Sequence, residues 1–251
     1  MIIDRPTKET IPVLKRLWLQ AFGDSQAFMD SFFSKAFSFD CCRCLWVEDT
    51  LAAALYWFDC QWKGKKLAYL YAVATDKAFQ SRGLCRALMA DTHSHLENLG
   101  YHGCVLVPAS EKLFAFYEKL GYRTFCSVEK ICLAPEAPVA IRQLNWVEYS
   151  RLRPAYLPQD TVVQGGDTFA FLETFARFYQ GDDCIFCVSL DEEIAYFQEF
   201  LGDTACLPGI TGALKAKKGF ARIPGDNTPF AMYHSLTNDS AVPGYFGIPL
   251  D

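Results

Sequence analysis

The sequence predicts an α/β protein of the α+β kind, a mixed and mostly antiparallel sheet flanked by helices, duplicated in tandem with a smaller, degenerate C-terminal copy. Three observations carry this. Apolar residues switch between strand-like and helix-like periods along the chain, the segment Ala134-Pro135-Glu136-Ala137-Pro138 interrupts the pattern as a linker, and short stretches beyond it repeat stretches before it.

The first half opens on a strand, Met1 to Ile3, and an amphipathic helix from about Thr10 to Phe22. A second amphipathic helix carries Phe28, Phe32, Phe33 and Phe37. Three strands follow as a meander, near Arg43 to Glu48, Leu51 to Trp62 and Lys66 to Thr75, with Glu48-Asp49 and Lys63-Gly64-Lys65 as the turns. A long helix from about Ser81 to Leu99 ends at Gly100, placed where a C′ glycine closes a helix. A strand Gly103 to Val107, a helix from about Ser110 to Leu120 stopped by Gly121, and a strand to about Leu133 complete this half.

Beyond the linker the same order returns. A shift of 116 positions sets Gly103 to Leu120 against Gly219 to Leu236 with six identities in 18, among them Phe114/Phe230 and Tyr117/Tyr233, where unrelated composition gives about one. A second stretch supports the duplication: Leu67-Ala68-Tyr69-Leu70 with Asp76 mirrors Ile194-Ala195-Tyr196-Phe197 with Asp203, and Gly83-Leu84 mirrors Gly209-Ile210. The expected domains are therefore residues 1–133 and 134–251.

Composition narrows the function classes. Hydrophobic residues at 51% and charged residues at 21% exclude disordered and fibrous classes. A net charge of −5 without a basic block excludes nucleic acid and anionic membrane as expected partners. The longest apolar run, Leu51 to Phe58, falls short of the roughly 20 residues that span a bilayer, and Met1 to Pro6 carries no apolar export segment, so a cytoplasmic protein is expected. The eleven cysteines are read as reduced thiols. Cys184 and Cys187 have zinc-like spacing, as does the Cys41-Cys42-Cys44 cluster, but both sit in strand-like runs where residues three apart face opposite ways, so no metal is expected. His93 and His95, two apart on a helix, are read as surface residues rather than a metal pair.

The segment most charged with chemistry is Tyr71 to Leu88. An apolar strand leaves the sheet, a short polar loop follows, and a helix begins with Gln80-Ser81-Arg82-Gly83-Leu84-Cys85. The first N–H groups of a helix have no internal partner, its dipole is positive there, and Gly83 allows a diphosphate close approach to the backbone. Arg82 and Arg86 add positive charge.

This segment resembles the Gln/Arg-x-x-Gly-x-Gly/Ala motif of the GNAT acetyltransferase superfamily. A second motif of that family, a helix bearing a tyrosine followed by Lys-Leu-Gly-aromatic, is matched by Leu113-Phe114-Ala115-Phe116-Tyr117-Glu118-Lys119-Leu120-Gly121-Tyr122. The resemblance covers about residues 1–133 and implies a GNAT-type sheet, acetyl-CoA as cosubstrate, and an N-acetyltransferase acting on the amine of a small molecule or peptide. It implies that Val73 and Thr75 pair with the pantetheine arm, that Gln80, Ser81, Arg82, Gly83, Leu84, Cys85 and Arg86 hold the pyrophosphate, and that Tyr117 protonates the departing thiolate. Cys85 departs from the family's glycine or alanine, placing a sulfur near the diphosphate. The second copy departs further: Thr204-Ala205-Cys206-Leu207-Pro208 has no counterpart of Gln80, and Pro208 stands in place of Arg82. One cofactor site per chain is expected, with residues 134–251 as a candidate contributor to the acceptor cleft and the aromatics of Phe28 to Phe39, Tyr56 to Trp62 and Phe169 to Tyr179 as candidates for lining it. Tyr69, Tyr71, Asp59, Glu48, Glu129 and a water chain all stay open as the base. A non-catalytic module that senses CoA or binds a protein is the alternative function.

Overall fold

The computed structural model of the chain describes residues 1–250. They gather into two compact units, Met1–Arg123 with Met232–Val242, and Thr124–Ala231 with the chain from Pro243 on. Among the described residues no helix is long and apolar enough to cross a membrane.

In the first unit the order is β1 (Ile2–Asp4), α1 (Ile11–Phe22), α2 (Gln26–Lys35), β2 (Cys42–Val47), β3 (Thr50–Trp62), β4 (Lys65–Thr75), α3 (Leu84–Asn98), β5 (Gly103–Leu106) and α4 (Glu111–Glu118). Each helix begins and ends for a local reason. Pro12 occupies the first turn of α1, and Gly23, left-handed at φ 75°, returns its N–H to the Leu19 carbonyl. Ser25 caps α2 by accepting from the Phe28 amide. The strands pair in the order β1-β2-β3-β4-β5, antiparallel except for the parallel β4–β5 ladder. On one face Trp18 of α1 meets Phe32 of α2 at 4.7 Å and Tyr56 of β3 at 5.3 Å between ring centroids. On the other face Leu88, Met89 and Leu96 of α3 enter a core with Leu55, Trp57 and Leu70 of the sheet. Each such apolar side chain contributes about 1.5–3 kcal/mol on burial.

The second unit contains β6 (Arg123–Leu133), β7 (Arg142–Leu144), α5 (Trp146–Leu152), β8 (Val163–Gln164), α6 (Gly166–Leu172), β9 (Arg177–Gln180), β10 (Cys184–Asp191), β11 (Ile194–Gly202), α7 (Leu207–Ala213), β12 (Lys218–Pro224) and the first residues of β13 (Thr228–Ser235). Its strands run β6-β12-β11-β10-β9-β7, and only β11–β12 is parallel. Leu207 and Ile210 of α7 pack on Phe186, Phe197 and Phe200.

The compact units do not divide at the linker near residue 134. β6, the last strand of the first half of the sequence, pairs with β12, setting Leu133 opposite Gly219 and Val128 opposite Pro224. The end of β13 pairs instead with β5, Met232 opposite Leu106 and Ser235 opposite Gly103, and Met232 and Leu236 are buried in the first core. A strand belongs to the ladder that satisfies its backbone groups, whatever its place in the chain.

Each unit holds one parallel ladder, Ala68 opposite Cys104 in the first and Ala195 opposite Gly219 in the second, a register one residue off the match of Gly103 with Gly219, and Asp76 and Asp203 each accept a hydrogen bond from the amide two residues on, at 2.8 and 2.9 Å. The match at a shift of 116 positions fails past its strand. Phe114 and Tyr117 lie on α4, whereas Phe230 and Tyr233 lie on β13, and β12 leads to β13 through a short turn with no counterpart of α4.

A buried ion pair fastens the second unit. The Arg153 guanidinium donates from Nε and Nη2 to the two Glu199 carboxylate oxygens, both at 2.7 Å, and the Tyr149 hydroxyl donates to Oε2 at 2.8 Å. Both charged groups are fully buried. Arg153→Met leaves Glu199 buried and uncompensated, and is expected to lower stability by about 3–5 kcal/mol in urea unfolding followed by circular dichroism. Adding Glu199→Leu is expected to recover most of that loss.

Candidate active site

The site begins where two strands part. The parallel ladder between β4 and β5 ends at Tyr69 opposite Val105, yet β4 continues to Thr75. Against β3 the register shifts between Ala54 opposite Ala74 and Tyr56 opposite Tyr71, so Ala72 and Val73 bulge opposite Leu55, with Ala72 left-handed at φ 48°. A non-glycine residue held there costs on the order of 1–3 kcal/mol, and the bulge sharpens the local twist. Val73 and Thr75 lie beyond the last β5 partner, half-buried, with their β5 side lacking a neighbouring strand.

The loop after Thr75 is built from short-range bonds. The Asp76 amide donates to the Ala52 carbonyl at 2.8 Å, and the Asp76 carboxylate caps the 3-10 turn Lys77–Phe79. Gln80 Nε2 donates to the Thr75 carbonyl at 3.2 Å, tying the loop back to the strand end. Ser81 (φ 60°) and Gly83 (φ 78°) are left-handed, so the helix expected from Ser81 starts only at Leu84. The first helical bond is from the Ala87 amide to the Gly83 carbonyl at 3.0 Å. The amides of residues Ser81 to Arg86 thus have no acceptor among the described residues. Such a run at a helix start forms an anion-binding concavity on the positive end of the dipole. A Cβ on Gly83 would meet nothing within 4 Å, so backbone conformation rather than packing calls for glycine, and the space before it is open. Arg82 lies over the Phe79 ring at 5.2 Å and is exposed, as is Arg86.

Behind the helix start, three predicted residues meet. The Cys85 thiol is half-buried beside the Thr75 side chain, and burial pushes it up to about 11. Cys85 packs against the first core. Tyr117, at the end of α4 and 7% exposed, sits edge-on to Tyr122 at 5.6 Å. Burial raises its phenol above the ordinary tyrosine range, and the neighbouring Cys85 thiol adds to the shift.

The candidates for a base are dispersed. Asp59 accepts from the Tyr101 hydroxyl at 2.5 Å and lies 3.5 Å from Lys66 Nζ, so its carboxylate is already engaged. Tyr69 and Tyr71 stand among the rings facing α1 and α2, Tyr71 at 5.7 Å from Trp18. Glu48 occupies the left-handed position of the β2–β3 turn, and Glu129 lies on β6 in the second unit. Among the described residues no group of three His, Cys, Asp or Glu side chains is arranged to hold a metal.

His93 is a correction to the surface reading. Its ring stacks on His234 of β13 at 4.4 Å, and the Tyr122 hydroxyl bonds His93 Nε2 at 2.8 Å, while His234 Nδ1 donates to the Gly121 carbonyl at 3.1 Å. His234 is remote in sequence, which hid the pairing. Burial, with His234 second, lowers His93 to about 3. The unfolded chain takes up this proton near pH 6.5 and the folded chain only near 3, so the unfolded state binds more protons between them. Stability from the neutral ring is full above about pH 6.5 and falls as pH drops toward 3. His93→Gln is expected to shrink the acid-side fall in thermal midpoint relative to the parent.

The sheet opens past its fourth strand, and amide donors that no protein group accepts gather at the opening. Residues 3–125 match the family model described as Acetyltransferase (GNAT) domain. No curated protein matches the sequence. Among solved structures, a GCN5-related N-acetyltransferase from Anabaena variabilis superposes with a TM-score of 0.74 at 15% identity, covering 94% of this chain and 73% of that one. One from Kribbella flavida gives 0.72 at 16% identity over 92% and 70%. A tandem GNAT protein from the clavulanic acid biosynthesis pathway gives 0.58 at 11% identity over 95% and 99%. At these identities the likeness is one of fold. The stretch matched by the family model belongs to the GNAT acetyltransferase family.

Proposed function

We propose that this chain is an N-acetyltransferase that moves the acetyl group of acetyl-CoA directly to the amine of a small molecule or peptide. The observation that carries the reading is the run of amides from Ser81 to Arg86 without protein acceptors, set at the end of a strand that has outrun its neighbour. Acetyl-CoA supplies the thioester. The Ser81 to Arg86 amides, with Arg82 and Arg86, bind its pyrophosphate. Val73 and Thr75 pair through their backbone with the pantetheine arm, as a further strand would. Gln80 acts here through the Thr75 carbonyl, holding loop and strand end together.

Tyr117 gives its proton to the thiolate as the carbon–sulfur bond breaks. Its upward shift keeps the hydroxyl protonated across the neutral range and makes it a weak acid, so its contribution is position rather than strength. Cys85, held as a thiol at neutral pH, is no nucleophile, and direct transfer requires none. In the second copy the 3-10 turn Thr204–Cys206 runs straight into α7, Pro208 lies in its first turn, and Gly209 is inside the helix. That arrangement supports one acetyl-CoA site per chain. The net charge of −5 favours a cationic acceptor over an anionic one.

Gly83→Val is expected to weaken acetyl-CoA binding at least about tenfold by calorimetry while costing about 1–2 kcal/mol of stability, the strain of a side chain in the left-handed region. Undiminished binding would place the cofactor elsewhere. Tyr117→Phe is expected to keep acetyl-CoA affinity and lower turnover by about 100-fold or more on an amine panel read by CoA release; unchanged turnover removes Tyr117 from the chemistry.

A further inference from the structure

We propose that Cys184 and Cys206 are a modification site, a pair of thiols in the second unit that closes to a reversible disulfide. Their sulfurs lie 3.8 Å apart although 22 residues separate them. Cys184 opens β10 and is 1% exposed. It is wedged between two glycines: a Cβ on Gly181 would fall 2.7 Å from its sulfur, and one on Gly202 would fall 2.7 Å from its Cβ. Its sulfur lies in the space that a side chain at position 181 would take. Cys206 ends the 3-10 turn before α7, is partly exposed, and donates from its thiol to the Asp203 carbonyl at 2.9 Å. Cys184 is buried in a strand and Cys206 is partly exposed on a short turn, so closing to the roughly 2.0 Å of a disulfide requires movement mainly of Cys206.

The other cysteines lack this combination. Cys42 and Cys44 are neighbours on one strand and both buried, and Cys187 is buried near Glu199. Cys132 is exposed, on the strand face away from the core that holds Cys184.

The oxidant is a low-molecular-weight disulfide such as oxidised glutathione. The Cys206 thiolate attacks one of its sulfurs, forming a mixed disulfide and releasing one glutathione thiolate. The Cys184 thiolate then attacks Cys206 Sγ and expels the second. Two protein thiols and one small disulfide become one protein disulfide and two small thiols, and a dithiol reductant reverses the exchange. Burial raises both thiols, Cys184 to about 12, so exchange quickens as pH rises and more thiolate forms. The bond would staple the start of β10 to the first turn of α7, whose Leu207 and Ile210 lie in the second core, and so restrict the unfolded chain.

The test incubates the full chain with oxidised glutathione near about pH 9, where thiolate is more abundant, then blocks free thiols and maps the peptides by mass spectrometry. The expected product is a Cys184–Cys206 cross-link within one chain, with a higher thermal midpoint and reversal by dithiothreitol. Cys184→Ser is expected to trap glutathione on Cys206, and Cys206→Ser to abolish the cross-link. Glutathione retained on Cys206 of the parent chain, cross-links formed elsewhere or between chains through Cys132, or no reaction at all would each overturn the proposal.

Discussion

The candidate site depends on one mismatch of length: β4 runs on to Thr75 after its ladder with β5 has stopped at Tyr69. A backbone that leaves a ladder must find other partners for its polar groups or present them to a ligand. Here the bulge at Ala72 and Val73 turns the strand, Asp76 caps the next turn, and Gln80 ties the loop to Thr75. Left-handed Ser81 and Gly83 then start α3 with its first amides unused. Cys85 and Tyr117 are positioned by the same opening, one in the first turn of the helix and the other at the end of α4.

The second copy shows what the opening requires. It keeps the parallel β11–β12 ladder and the aspartate cap at Asp203. No residue separates its 3-10 turn Thr204–Cys206 from α7, whereas Gln80 to Gly83 stand between the turn Lys77–Phe79 and α3 in the first half. Without that loop there is no left-handed pair and no exposed row of amides ahead of the helix. The second copy also lacks a counterpart of α4, and with it any equivalent of Tyr117. The strand exchange, β6 into one unit and the end of β13 into the other, makes each half of the sequence contribute to the core of the other's unit.

Much of this was legible in the sequence because it is local. Gly100 and Gly121 mark helix ends through the left-handed backbone that follows a last turn, and both are left-handed here. The Gln80 to Cys85 and Leu113 to Tyr122 segments announce a fold because each couples a turn to a helix within a few residues. What was hidden is long-range or conformational. The left-handed state of Ser81 moved the start of α3 by three residues, a choice no propensity assigns to serine. The stacking of His93 on His234 and the pairing of β13 with β5 join segments more than a hundred residues apart. The match at a shift of 116 positions misled past Leu106 because Phe114 and Tyr117, three apart, share a helix face, whereas Phe230 and Tyr233 alternate across a strand.

The most direct measurement is an amide chemical-shift titration of the isotope-labelled chain with acetyl-CoA. Amides gathered on an anion move strongly, and those far from it stay still. The account predicts that the amides of Ser81 to Arg86, with Val73 and Thr75, shift together and saturate at one equivalent, while those of Asp203 to Gly209 remain in place. Shifts centred on Asp203 to Gly209, or saturation with the Ser81 to Arg86 amides unmoved, would contradict it.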